Sequence, residues 1–167
     1  MERSPSEHQN GSRRRSPSPI EHLYTLQRTP YSMAPIIHQF YKDSLPRERD
    51  VLLSYLVLPM VLFPPMRKFL LNSNKRSSLR TLCQDQRRLV GLTSRAQELK
   101  SLTHASMLVL TAEHGIEVAP DLSVRSTRDV QASNANSVYL EAGRKLAALF
   151  VDADVVSIYR TLGFKSL

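Results

Sequence analysis

The first regular pattern along the chain lies in Met33 to Tyr41, where Ile36, Ile37, Phe40 and Tyr41 fall at helical spacing and predict a short helix with one buried face. Ser44-Leu45-Pro46 then punctuates, and Arg47 to Asp50 read as solvated. Val51 to Met66 carries no charge and predicts a central helix buried all round, bent or ended before Pro59. Phe63-Pro64-Pro65 forces an extended turn after it. A bilayer core asks for about 20 apolar residues; this run is shorter and interrupted by prolines, so it reads as core and no membrane is expected. Ser77-Ser78 cap a short helix through Leu79, Leu82 and Cys83, which breaks near Gly91. Ser94 followed by Gln97 is a capping-box pattern introducing a longer helix, Arg95 to His114. Its stripe of Ala96, Leu99, Thr103, Ser106 and Leu110 faces the core, and Gly115 suits the C′ position.

Two short alternating runs follow, Ile116 to Ala119 and Leu122 to Arg125, joined at Pro120-Asp121, and they predict a small hairpin. Residues 126–136 are polar and read as a loop. Val138, Ala142, Leu146 and Leu149 mark an amphipathic helix. Asp152 caps a last one, in which Val155, Ile158 and Leu162 share a face, with a Schellman-type stop at Gly163-Phe164. No internal repeat appears. The fold class is mainly α: a single small helical domain over residues 31–167 with a winged helix-turn-helix-like hairpin at about residues 116–125.

Composition changes this picture in three places. Residues 1–30 are rich in Ser, Arg and Pro with few aliphatic side chains, too little apolar surface to offset ordering, and read as a disordered tail; they hold no apolar h-region and do not read as a secretory signal. The one cysteine, Cys83, excludes an internal disulfide and a thiolate zinc cluster, and a reducing cytoplasm fits. The net charge of +8 is regional. Between residues 66 and 100 nine Lys or Arg stand against Asp85 and Glu98, a local excess of +7. Such a patch attracts a polyanion or an acidic protein face.

Catalytic chemistry is poorly provided for. The five glycines, Gly11, Gly91, Gly115, Gly143 and Gly163, lie far apart and build no phosphate cradle, so any nucleotide belongs to another chain and no cofactor is expected. The histidines show no metal-ligand spacing, and no nucleophile elbow is present. Cys83, between Leu82 and Gln84, reads as a buried structural thiol, and Asp152 with Asp154 as capping residues rather than a catalytic pair. What remains is the basic stretch, with Arg80, Arg87, Arg88 and Arg95 at spacings of seven or eight. Helix, turn, helix and hairpin is also the order of a winged helix, whose arginines can contact DNA phosphates or bases.

Four segments in order carry a family resemblance: LLSYLVLPMVLFPPMRKFL (52–70), RSSLR (76–80), GLTSRAQELKSLT (91–103) and IYRTLGF (158–164). Together they resemble the middle components of prokaryotic three-component ABC-ATPase (ABC-3C) systems. The resemblance implies a non-enzymatic adaptor that links an SMC- or Rad50-like ABC ATPase to an effector protein in an anti-phage or mobile-element conflict system. It carries over no catalytic residue. The N-terminal tail and Phe164, where the family pattern has a small β-branched residue, are departures from it. The contact residues expected on the adaptor are Arg80, Arg87, Arg88 and Arg95 on the patch and Tyr159 and Arg160 on the last helix. The alternative is a DNA-binding winged-helix regulator.

Overall fold

In the computed structural model, residues 28–133 and 135–165 are described; the expected N-terminal tail lies outside the described residues apart from its last few positions. Eight α-helices and one hairpin follow one another among them. Helix α1 (Pro30–Lys42) begins at a Thr29 cap whose side chain and that of Ser32 bond reciprocally to the backbone. Its Ile36, Ile37, Phe40 and Tyr41 are all buried, as the spacing predicts. A 3-10 turn, Asp50–Leu53, leads into α2 (Ser54–Val61), and α3 (Pro64–Asn72) leaves it at a bend of 102°.

The helix does not end before Pro59. Pro59 lies inside α2, and the burial of Leu56 through Val61 offsets the one ladder bond that its ring removes. The break falls at Leu62-Phe63, where Phe63 is extended (φ −83°, ψ 117°) and Pro64 takes the first position of α3. No single helix among the described residues is long and apolar enough to cross a membrane. Leu53, Leu56, Val57, Leu58, Met60 and Val61 are fully buried as core instead.

Helix α4 (Leu79–Cys83) is capped by Ser78, and a 3-10 turn over Gln86–Arg88 follows. Ser94 is not a cap. Helix α5 (Leu92–Glu98) starts at Gly91 in the left-handed region (φ 67°), which places Ser94 inside the helix, its hydroxyl donating to Glu98 at 3.2 Å. The longer helix therefore divides at Leu99 into α5 and α6 (Lys100–Ala112). The predicted stripe holds, with Ala96, Thr103, Ser106 and Leu110 buried and Leu99 half-buried.

Helix α6 ends in a Schellman motif in which His114, not Gly115, adopts the left-handed conformation (φ 54°). The Gly115 N–H donates to Leu110 O at 2.8 Å and the His114 N–H to Thr111 O at 3.1 Å. Gly115 is needed for space: a Cβ there would lie 2.4 Å from Val130 Cγ1.

Strands β1 (Ile116–Val118) and β2 (Val124–Ser126) pair antiparallel, as predicted, with Ile116 opposite Ser126 and Val118 opposite Val124. The long helix α7 (Ser137–Phe150) is capped by Asn136, and α8 (Val155–Thr161) by Asp154 rather than Asp152. Asp154 alone reaches the first-turn N–H of Ser157, at 2.9 Å. In the assembled domain α1 packs against α6 and α7, with α2 beside it; α3 lies on α7, α4 on α8, and β2 on α1.

Residues 47–50 are not uniformly solvated. Asp50 is 1% exposed. Its carboxylate accepts from the Arg47 N–H at 2.9 Å and the Val124 N–H at 2.6 Å, so it pins the hairpin to the entry of the central helix. The Arg49 N–H donates to Asp121 O and the Val51 N–H to Leu122 O, extending the same seam. Tyr41 and Tyr159 donate their hydroxyls to Asp50 O (2.8 Å) and Leu52 O (2.6 Å), so two elements distant in sequence grip the same turn.

Two stability predictions follow from this packing. Gly115→Ala destabilises the domain by about 1–3 kcal/mol through overpacking, and Val130→Ala in the same chain recovers most of that loss in urea denaturation. His38 is buried, with Nε2 at 2.9 Å from Arg128 O and 3.0 Å from Ser126 Oγ, and burial holds its pKa below the ordinary 6.5. A depressed folded-state pKa means that its stabilisation is complete above 6.5 and is lost as the pH falls through the folded value. His38→Gln therefore flattens the acid side of the stability profile measured from neutral pH downward.

Candidate functional site

The residues expected to meet partners sort into two groups once their surroundings are known. The first group holds the fold together. Arg95 of α5 lies over the Phe63 ring with its guanidinium carbon 3.6 Å from the centroid, and it donates to Pro59 O (3.3 Å) and Val90 O (2.5 Å). Arg88 lies 4.2 Å over the Phe69 ring and donates to Thr81 O (3.0 Å) and Leu82 O (3.2 Å), carbonyls in the last turn of α4. Tyr159 is 7% exposed with its hydroxyl on Leu52 O, and its ring meets Phe164 edge-on at 5.0 Å. Burial pushes its pKa well above the usual tyrosine value.

The second group faces outward. Arg80 at the start of α4 and Arg160 on α8 are exposed and have no side-chain partner among the described residues. Arg87 is exposed and forms a fork with Asp85, Nε to Oδ1 at 3.0 Å and Nη2 to Oδ2 at 3.1 Å. This pairing holds the Asp85 carboxyl below its ordinary range. Asp85 also caps the 3-10 turn that presents Arg87 and Arg88.

Around these residues the chain forms two notable clefts. One, of about 470 Å³, lies between α3 and the 86–88 turn and is lined by Pro65, Lys68, Phe69, Asn72, Asp85, Arg87 and Arg88. The other, of about 280 Å³, is more apolar and opens between α2, α5 and α8, lined by Leu52, Tyr55, Ala96, Gln97, Lys100, Tyr159 and Phe164. Beside it the Tyr55 hydroxyl is hydrogen-bonded to His104 Nε2, the rings meeting edge-on at 5.3 Å. Nothing in the local sequence signals that pair, because 49 positions separate the two residues.

Reactive chemistry is not assembled at either cleft. Cys83 is half-buried with Sγ 3.5 Å from Thr161 O, and burial pushes its thiol pKa up, away from the thiolate form that reacts. Among the described residues no group of three or more His, Cys, Asp or Glu is placed to hold a metal ion.

The cations that sequence spacing did not single out are as telling. Arg67 donates to Val61 O and Leu62 O, both at 3.1 Å, and lies 5.0 Å over the Tyr139 ring. Arg47 donates to Phe150 O (2.6 Å) and Ala153 O (2.5 Å). Lys145 donates to Ser73 O at 2.8 Å. Each covers carbonyls at or just past the C-terminal end of a helix, Arg67 from the helix that follows and Arg47 and Lys145 from far along the chain.

The geometry defines a class, a small helical domain with a hairpin whose cations are divided between helix ends and a basic exterior. The chain matches the model of the family described as ABC-three component (ABC-3C) system Middle Component 3 over residues 17–166, and it belongs to that family. The match starts ahead of the motifs that carry the resemblance and takes in part of the Ser/Arg/Pro-rich segment. No curated protein and no solved structure matches the chain.

The two groups are separable by stability. Arg95→Ala removes the ring contact and two carbonyl partners and costs about 1–3 kcal/mol in chemical denaturation. Arg80→Ala stays within about 0.5 kcal/mol of the parent.

Proposed function

We propose that the chain is a non-enzymatic adaptor that links an SMC- or Rad50-like ABC ATPase to an effector protein, in a cytoplasmic anti-phage or mobile-element conflict system. The observation that carries this reading is membership of the middle-component family over nearly the whole chain. The use made of the ionisable groups supports it. Asp50, His38, Tyr41 and Tyr159, the buried groups with the chemistry a catalyst would use, are each bonded to backbone and serve to join elements. A chain built in this way offers surfaces rather than a reaction centre.

A duplex-binding winged helix is the other reading of the helix and hairpin order. It is weakened by the helix that precedes the hairpin, the one that would enter a groove. The exposed side of α6 carries Ser101, His104 and Leu108, with Lys100 at its start as its only cation. Two arginines of the patch, Arg88 and Arg95, are also engaged with carbonyls and rings.

Co-expression with the ATPase and the effector of the same system is expected to give a complex of fixed stoichiometry that survives size-exclusion chromatography. Elution of the chain by itself beside both proteins contradicts the proposal.

A further inference from the structure

We propose that the surface formed by α3, the 73–78 loop and the 86–88 turn docks an acidic, amphipathic segment of a protein of the same system. Its carboxylates would meet Lys68, Lys75 and Arg76, and its apolar side chains would enter the cleft beside Phe69. The proposal rests on the adaptor reading and adds to it the site and the chemistry of the partner.

Charge comes first. Lys68, Lys75, Arg76 and Arg80 are exposed and have no side-chain partner among the described residues. From α3 to the end of the 86–88 turn, residues 64–88, Asp85 is the only acid, and it is engaged by Arg87 and Arg88. The surface therefore has positive charge to spare, which steers an acidic partner toward it and favours it over neutral ones.

Order comes second. Within the 73–78 loop the Arg76 N–H donates to Asn74 Oδ1 (2.9 Å), the Asn74 N–H to Ser77 Oγ (3.0 Å) and the Ser77 N–H to Asn74 O (2.9 Å). Ser73 is tied back by its hydroxyl to Leu70 O (2.6 Å) and by its carbonyl to Lys145. Lys75 and Arg76 are thus carried on a loop already fixed before a partner arrives, and binding need not order it.

Shape and polarity decide the class of partner. The cleft has apolar walls in Pro65 and Phe69, beside the cations Lys68, Arg87 and Arg88. A nucleic-acid backbone would use the cations and leave those apolar groups in water with Asp85 facing a phosphate. A protein segment with acidic and apolar residues covers both.

The test uses the full-length chain in complex with the ATPase and the effector of its system, and zero-length carbodiimide coupling, which joins a lysine amine directly to a carboxylate. The expected result is coupling of Lys68 or Lys75 to an Asp or Glu of one partner. Lys68→Glu with Arg76→Glu should then weaken that complex about ten-fold or more at low salt, with an unchanged thermal melt. Reversing the coupled acid on the partner should restore affinity, and Arg125→Glu on the hairpin should leave it unaltered. A wild-type complex that gives no such coupling and tolerates both reversals overturns the docking site while leaving the adaptor reading in place. Failure to form any complex overturns both. Displacement of the protein partner by a short DNA duplex that occupies the same lysines assigns the surface to nucleic acid and overturns the proposal.

Discussion

A domain assembled from helices of five to fourteen residues has many helix ends, and each end leaves backbone carbonyls without an intrahelical partner. This chain answers that constraint with cationic side chains, some from the next element along the chain and some from far away in the sequence. Arg67 covers the end of α2, Arg88 the end of α4, Arg47 the end of α7, and Lys145 the carbonyl just past α3. A positive group is favoured at these places both by hydrogen bonding and by the partial negative charge of a helix C-terminus. In three cases, Arg67, Arg88 and Arg95, the guanidinium also lies over an aromatic ring, so one side chain fastens a helix end and packs against a neighbour.

Much follows from that arrangement. Residues 56–61 of the charge-free run are buried, and the carbonyls of Pro59, Val61 and Leu62 at the C-terminal end of their helix are met by Arg95 and Arg67. The entry to the same run is held by Asp50 and by the hydroxyls of Tyr41 and Tyr159, which tie the hairpin, α1 and α8 to one short turn. With those cations committed, Lys68, Lys75, Arg76 and Arg80 are among the ones left over, and they give this part of the exterior its charge. The regional excess of positive charge is thus divided between cations bonded within the fold and exposed ones without a partner, and the proposed docking surface uses the second group.

Features that depend on neighbours along the chain were legible in the sequence. The Ser78 cap, the stripe of Ala96, Thr103, Ser106 and Leu110, the hairpin and the Gly163-Phe164 stop are local matters of periodicity and turn chemistry. Ser94 was misleading because a serine three residues before a glutamine has the spacing of a capping box wherever it falls, while the left-handed Gly91 sets the actual start. Helix α3 has its own local signal, two prolines at its start followed by Met66 and Leu70 at helical spacing. What spacing could not supply was the split among the arginines. Arg87 and Arg88 are adjacent, yet one is exposed on Asp85 and the other reaches two carbonyls and a ring, a difference decided by contacts 6 to 7 residues away or more. Asp50 and Arg47 were hidden for the same reason, since their partners Val124, Phe150 and Ala153 lie far along the chain.

The most direct measurement is a substitution series in which each Lys and Arg between residues 66 and 100 is changed to Ala, with unfolding free energy and affinity for the partner complex determined on the same preparations. The account requires two separate classes: Arg67, Arg88 and Arg95 lower stability, whereas Lys68, Lys75, Arg76 and Arg80 weaken binding and leave stability unchanged. If one set of residues governs both quantities, or if affinity is indifferent to all of them, the division of labour among these cations is wrong.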